Sequence, residues 1–462
     1  MKYVSTRGRA PVLEFGDVLL AGLAEDGGLY VPDRWPELSA EARGGRPGRG
    51  DYAALAAEVM WPFAAGAYPR ARFEEMVRDA YAGFDHPEVA PMVELGDGLW
   101  LMELFHGPTL AFKDIALQLV GRLFDEELDR RGERVTIVGA TSGDTGSAAI
   151  EAVRDREGIQ IVILHPHGRI SEMQRRQMTT VDSANVHNVA IDGTFDDCQD
   201  LVKAMFADAE FRSEQRLSAV NSINWARVMA QTVYYVAAVA RHGLTRTAFS
   251  VPTGNFGNVL AGHVARQMGL PVERFIVASN RNDILTQFFN MGSMATSAVH
   301  PTLSPSMDIQ VSSNLERLLF ELLDRDGART AEMLEDFRAA GSLRIDAGIL
   351  AELGRSWSGV RVDDVETVDA IAALYRSTGM IVDPHTAVGL AAAHRSRGHC
   401  DGDIVVLATA HPAKFADAVE SAIGAPPPMP PVLAELAERP ERCHRLPNDL
   451  DAVKAHVARC SA

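Results

Sequence analysis

Lysine is the scarcest charged residue in this chain: Lys2, Lys113, Lys203, Lys414 and Lys454 are the full set among 462 residues. Arginine carries nearly all of the positive charge. A lysine kept inside a motif is then a candidate for work that only an amine can do, because a guanidinium stays protonated and forms no imine. Cysteine is equally sparse, with Cys198, Cys400, Cys443 and Cys460 far apart. No CxxC pair and no zinc-like His/Cys spacing occurs, which argues for reduced thiols and against a metal centre. Long apolar runs are missing as well. None approaches the roughly 18 residues of a membrane span, and the start, MKYVSTRGRAPVLEFGD, lacks the apolar stretch of a signal peptide. A cytoplasmic location is expected. The formal net charge of −17 disfavours nucleic acid or an anionic membrane as partner. Nucleotide signatures are absent too: there is no GxxxxGK[ST], and neither GDTG (143–146) nor GNFG (254–257) completes G-x-G-x-x-G. GxSxG, HExxH and an EF-hand loop do not occur.

Hydrophobic residues at 47% and charged residues at 23% describe an ordinary folded chain, and the length predicts two or three packed units. Residues 1–95 read as an N-terminal unit in which Phe15, Val18, Leu19 and Leu23 form an apolar pattern ending at AEDGGLYVP. Within it, EARGGRPGRG (41–50) reads as a solvated loop. From Leu99 onward a short apolar strand, a polar turn and a helix recur, which predicts an α/β fold. The clearest copies are LWLMELF before HGPT, VTIVGA before TSGDTG, AFSVP before TGNFGN, and DIVVLA before TAHPA. These divide into a first α/β region, 96–235, and a second, 236–424, with a helical insertion at about 313–375. APPPMPP then leads into a mostly helical tail, 425–462. In open parallel sheets ligands bind at the carboxyl ends of strands, so one site can be built from all four turns.

Lys113 follows the first turn and opens a helix whose apolar face is Phe112, Ile115, Ala116, Leu119 and Leu123. Partial burial at a helix N-terminus favours its neutral amine, although Asp114 could instead pair with it, and in isolation such a lysine reads as a surface charge. TGNFGN (253–258) suits a small phosphate cradle, and is equally readable as a tight turn capped by Asn255. An amine after one strand, an anion-binding turn after another and TSGDTG between them match pyridoxal phosphate, which needs an amine for its aldehyde, a phosphate cradle and a partner for its ring nitrogen.

The ordered set HGPTLAFKD, ATSGDTGSAA, NSINWARVMAQTVYY, GNFGN, DPHTAVG and TAHPAKFADAV resembles threonine synthase from about Ser5 to Gly424. STRG and AEDGGLYVP are similar to the N-terminal unit of its bacterial and fungal branch. The resemblance implies a fold type II (tryptophan synthase β-like) pyridoxal-phosphate enzyme with two open α/β domains. It implies that Lys113 carries the cofactor and is the catalytic residue, and that Gly254, Asn255, Phe256, Gly257 and Asn258 hold the cofactor phosphate. Thr409 would face the pyridine nitrogen, leaving it largely unprotonated. Asp144 would lie near the 3-hydroxyl, where relatives with TSGN-like loops have Asn, or else act as a helix N-cap. Thr141, Ser142, Thr145, Asn221, Ser222 and Arg227 would bind substrate, with Arg227 gripping its phosphate; otherwise Arg227 is an exposed helix charge. His385, His411 and Lys414 lie at the same strand ends, either in the site or as turn and cap residues.

The implied reaction converts O-phospho-L-homoserine and water to L-threonine and phosphate, the last step of threonine biosynthesis, by a monomer or homodimer. A phospholyase on the same scaffold, giving 2-oxobutyrate and ammonia, and a catalytically silent pyridoxal-phosphate binder stay open. Threonine dehydratase and cysteine synthase share the fold but lack AEDGGLYVP and TAHPAKF.

Overall fold

VTIVGA, IQIVILHP and VHNVAID are near-continuous apolar, β-branched runs, the pattern of strands covered on both faces. In the computed structural model, which describes residues 1–40, 42–43 and 51–461, they form the parallel strands Val135–Ala140, Ile159–Pro166 and Val186–Asp192. They belong to a five-stranded sheet in the order His444–Pro447, Val186–Asp192, Ile159–Pro166, Val135–Ala140, Leu217–Ser218. The larger sheet has six strands, in the order Trp357–Arg361, Val272–Ser279, Thr247–Pro252, Asp403–Ala408, Leu99–Glu103, Met92–Gly96. Its pairs are parallel except the last, which is an antiparallel edge.

Both sheets reverse their winding at one place, and the predicted turns leave from there. In the larger sheet the neighbours Thr247–Pro252, Asp403–Ala408 and Leu99–Glu103 emit TGNFGN, TAHPAK and HGPTLAFK. In the smaller sheet the neighbours Val135–Ala140 and Leu217–Ser218 emit TSGDTG and NSINWAR. A crevice at the carboxyl ends of strands, at a switch point, is where such sheets bind ligands.

The helix Trp225–His242 is apolar on almost every side (WARVMAQTVYYVAAVA) and so is buried among other helices rather than laid on a surface. It packs against Lys113–Arg131, Gly257–Gln267 and Tyr52–Ala64. Tyr52–Ala64 belongs to the N-terminal stretch, which also contributes the antiparallel pair Tyr3–Ser5 and Tyr30–Pro32. Trp225 sits 5.6 to 6.1 Å from the rings of Phe63, Trp35 and Tyr3, so this stretch shares the main core rather than forming one of its own. Of the 41–50 segment read as a solvated loop, only Ala42 and Arg43 lie within the described residues; Ala42 is buried and Arg43 donates to the Leu38 carbonyl. The 313–375 stretch holds the helices Leu315–Leu322, Gly327–Ala340, Ala347–Leu353 and Asp364–Thr378, and also gives the larger sheet its edge strand Trp357–Arg361. The tail adds His444–Pro447 to the smaller sheet, and its helix Leu450–Ser461 closes a core around Val138, Val162 and Cys198.

Candidate active site

The turns before Lys113 and after Asp403–Ala408 are laced together. Ala111 and Ala410 form an antiparallel bridge, the Phe112 amide donates to the Thr409 carbonyl at 2.9 Å, and the His411 amide donates to the Leu110 carbonyl at 3.0 Å. Leu110 takes φ 57°, an uncommon value for a branched residue, at the point where the chain turns into the Lys113 helix. Asp114 does not pair with Lys113. Its carboxylate folds back to accept from the Thr109 amide (2.8 Å) and hydroxyl (2.7 Å). That return demands glycine at position 107, where a Cβ would fall 2.4 Å from the Asp114 Cβ. Burial raises the Asp114 carboxyl to about 6 despite these bonds.

Lys113 is buried, only 8% exposed, and its Nζ lies 3.3 Å from Asp144 Oδ2. Burial lowers its pKa; Asp144 pulls the other way, and Lys414 and Arg227 add to the lowering. Asp144 is the first helical residue of its helix and caps nothing. Its Oδ1 receives the fully buried Lys414 Nζ at 2.7 Å and Gln174 Nε2 at 3.0 Å. Burial alone would raise this carboxyl, but the two amines hold it well below the usual carboxylate range. Gly143 precedes it with φ 138°, and a Cβ there would meet the Gln174 side chain at 2.4 Å. Thr141 Oγ1 is occupied by the amides of Gly143 (3.0 Å) and Gly146 (2.9 Å), while Ser142 and Thr145, half-buried, make no side-chain hydrogen bond among the described residues.

TGNFGN opens the helix Gly257–Gln267, and no side chain caps that helix. Asn255 does not cap the turn; it is exposed, and its carbonyl accepts from Asn314. Phe256 holds φ 63° while its ring stacks on Phe289 and Trp357 at 5.8 Å, so its side chain anchors the turn and its backbone faces the site. Asn258 Oδ1 accepts from the hydroxyls of Tyr234 (2.6 Å) and Tyr235 (2.9 Å), and its buried Nδ2 has no partner among the described residues. At Gly254 a Cβ would meet the Ser306 carbonyl at 2.6 Å, because the 304–308 segment passes directly over the turn. That segment is held by His385, whose Nδ1 lies 2.7 Å from Asp383 and whose Nε2 accepts the Ser306 amide at 3.2 Å.

Arg227 is not an exposed helix charge. It is 3% exposed, forms no ion pair among the described residues, donates once to the Val220 carbonyl at 3.3 Å and leaves Nε unpartnered. Desolvation lowers its guanidinium to about 10. Asn224 caps the helix that carries it and ties Nδ2 to the Leu19 carbonyl, which fixes the helix start against the N-terminal stretch. Asn221 is exposed and Ser222 half-buried on the approach to this helix. Thr409, at the end of Asp403–Ala408, is buried with its amide bonded to Thr386, and its hydroxyl makes no bond among the described residues. His411 is spent on its turn, accepting from the Ala413 amide, and burial lowers it to about 4.

Several residues escaped the sequence reading. Asn314 Nδ2 bridges the Ser222 and Asn255 carbonyls, both at 3.0 Å. Arg317, buried and lowered to about 9 by desolvation, donates to the carbonyls of Tyr30 and Ile223 and to Asn314. Both lie in a stretch whose only sequence signal is helical periodicity. Tyr234 and Tyr235 stood inside the recognised motif, yet only their juxtaposition with Asn258 gives them a role.

Three family descriptions match: "Threonine synthase N terminus" over residues 2–81, "Pyridoxal-phosphate dependent enzyme" over 87–356, and "Threonine synthase, C-terminal" over 386–457. The chain belongs to the threonine synthase family. It is 54% identical to threonine synthase of Pseudomonas aeruginosa, covering 99% of this chain and 98% of that one. It is 46% identical to threonine synthase of Corynebacterium glutamicum over 99% and 98%. The crystal structure of PLP-bound threonine synthase from Brucella melitensis superposes with a TM-score of 0.95 at 49% identity, covering 100% and 99%. The fold is that of the pyridoxal-phosphate enzymes of fold type II.

The residues fit this cofactor on their own terms. Lys113 offers a buried amine with a lowered pKa, the uncapped N-terminus of the Gly257–Gln267 helix and the unpartnered Asn258 Nδ2 leave donors for a phosphate, and Thr409 presents a hydroxyl without a partner among the described residues.

Proposed function

We propose that this member of the threonine synthase family converts O-phospho-L-homoserine and water to L-threonine and phosphate, working in the cytoplasm. The observation that carries the substrate is Arg227: a buried guanidinium with no carboxylate partner among the described residues, whose charge acts to lower the Lys113 amine, suits a phosphate. Pyridoxal phosphate, when bound, supplies the electron sink that acidifies the carbons next to the substrate's amine. Gly254, Asn255, Phe256, Gly257 and Asn258 would hold its phosphate, Lys113 its aldehyde carbon, Thr409 its ring nitrogen and Asp144 the region of its 3-hydroxyl. Ser142, Thr145, Asn221 and Ser222 orient the substrate's carboxylate and phosphate around Arg227. Thr141 shapes that loop through its two amide bonds. The neutral Lys113 amine would move protons at Cα, Cβ and Cγ of the substrate. The Cγ–O bond breaks as phosphate departs into the Arg227 side of the site, and the oxygen of water bonds to Cβ. The four free cysteines agree with a reducing compartment. No helix among the described residues is long and apolar enough to cross a membrane.

Holoenzyme mixed with O-phospho-L-homoserine is expected to release phosphate and threonine in equal amounts. Release of 2-oxobutyrate in place of threonine would make it a phospholyase, and no phosphate at all would remove both enzyme readings. Lys113→Ala is expected to abolish both turnover and the borohydride-trapped adduct; an adduct persisting on another lysine would move the assignment.

A further inference from the structure

Asp144 stands between two buried amines, and they are not equivalent. Lys414 Nζ, fully buried, makes a short contact of 2.7 Å to Asp144 Oδ1 and donates to the Thr109 carbonyl at 2.8 Å. Lys113 Nζ reaches only Oδ2, at 3.3 Å, its one hydrogen bond among the described residues. An ammonium has three donors to satisfy, and a buried one left unsatisfied is strongly disfavoured. One carboxylate neutralises one ammonium. Arg227, on the helix Trp225–His242, adds a second positive charge felt by Lys113 that no described carboxylate offsets, and Gln174 on the Glu172–Thr179 helix adds a neutral donor to Asp144. Asp114 is committed to Thr109 and faces neither amine by hydrogen bond. The balanced arrangement therefore keeps the proton on the better-bonded amine.

We propose that Lys414 is a positioning residue whose ammonium serves as the standing counter-charge of Asp144, so that Lys113 is left as the neutral amine that condenses with the cofactor aldehyde. This rests on the reading of Lys113 as the cofactor's attachment point. The condensation joins Nζ to the aldehyde carbon as C=N and releases one water, the amine protons leaving with the aldehyde oxygen. An amine that is protonated has no lone pair for that bond. Thr109 is part of the device: its carbonyl takes Lys414, while its amide and hydroxyl are taken by Asp114. Lys414 arrives from the turn after Asp403–Ala408 that is already laced to the Lys113 turn.

The test is the pH dependence of imine formation between pyridoxal phosphate and cofactor-free protein, followed by visible absorbance, with thermal melts as a folding control. Lys414→Met is expected to move the midpoint of the rate profile upward by at least about one pH unit, a roughly tenfold slower rate at neutral pH, because Asp144 then recruits a proton to Lys113. Lys414→Arg keeps the charge and is expected to restore most of the original midpoint. Lys414→Met combined with Asp144→Asn removes both charges and is expected to return it. Asp144→Asn alone, with Lys414 still present, is expected to lower the midpoint. An unmoved midpoint in Lys414→Met, or a double variant still displaced like Lys414→Met, overturns the proposal. If Lys414→Met does not fold, Asp144→Asn decides: a midpoint that rises or stays is fatal. Borohydride reduction and mapping among the five lysines separates the two failures. An adduct off Lys113 sinks the attachment reading, whereas an adduct on Lys113 with unmoved midpoints sinks only the role of Lys414.

Discussion

A guanidinium buried without a carboxylate works against folding, since its desolvation is not repaid by a charge partner. Arg227 is in that position, lowered to about 10 by burial and leaving Nε unpartnered. Arg227→Met is therefore expected to leave cofactor-free protein as stable as the parent or raise its melting temperature, by about 1 to 2 °C per kcal/mol of relief. The same change is expected to lower kcat/KM for the phosphorylated substrate by about 2–5 kcal/mol of binding, at least thirtyfold. Arg227→Lys keeps the charge but loses the fork and falls between the two. A calorimetric scan beside the assay reads both; a variant that is less stable yet fully active would show that Arg227 is structural. That Lys113 follows a strand and opens a helix was legible from its motif, whereas its burial was not, since alone it read as a surface charge. The dependence of Asp144 on Lys414 was not, because it joins two turns from distant parts of the chain and from different sheets. Asp114 misled for a related reason: adjacency suggested a pair with Lys113, whereas helical geometry sends successive side chains apart.

Strand ends carry the site, and strand periodicity was the legible part. The four strand–turn–helix copies are all present, and NSINWAR after Leu217–Ser218 makes a fifth turn, preceded by a strand too short to announce itself. What periodicity cannot show is a segment lying across a turn, such as 304–308 above TGNFGN. That segment explains why Gly254 and Gly257 are not alike. A methyl at Gly254 meets main chain at 2.6 Å, whereas at Gly257 it meets the tip of Asn314 at 3.4 Å. Gly254→Ala is expected to weaken cofactor retention at least tenfold, and Gly257→Ala to do so by much less, as measured by equilibrium dialysis. Equal retention in both would mean that the 304–308 segment yields freely.

For the molecule as a whole, the N-terminal stretch is structural to the site rather than appended to it. Trp225 is gripped by Tyr3, Trp35 and Phe63, and Arg7 pairs with Glu316 at 2.8 Å in a buried salt bridge. Trp225→Ala is expected to cost about 3–5 kcal/mol in denaturant unfolding and to lower activity through the displaced Arg227. Intact activity at that loss of stability would detach the stretch from the chemistry. Stability should also respond to acid. Burial lowers His263 and His411 to about 4, so the unfolded chain, with histidines near pKa ~6.5, binds more protons between those values. Their contribution is complete above about pH 6.5 and is lost as pH falls towards 4. Asp114, raised to about 6, acts in the opposite sense. Denaturation midpoints of His263→Gln should accordingly fall less steeply with acid than those of the parent, and parallel curves would count against a buried neutral imidazole.

Asn314 gives two turns of the candidate site a shared fastening: one amide nitrogen holds the Ser222 carbonyl on one side and the Asn255 carbonyl on the other, each at 3.0 Å. The turns before Arg227 and around Gly254 cannot then drift apart independently, and Arg317 ties the same point to Tyr30 and Ile223. In effect the spacing of these two turns is set by a pair of side chains, Asn314 and Arg317, that belong to neither of them.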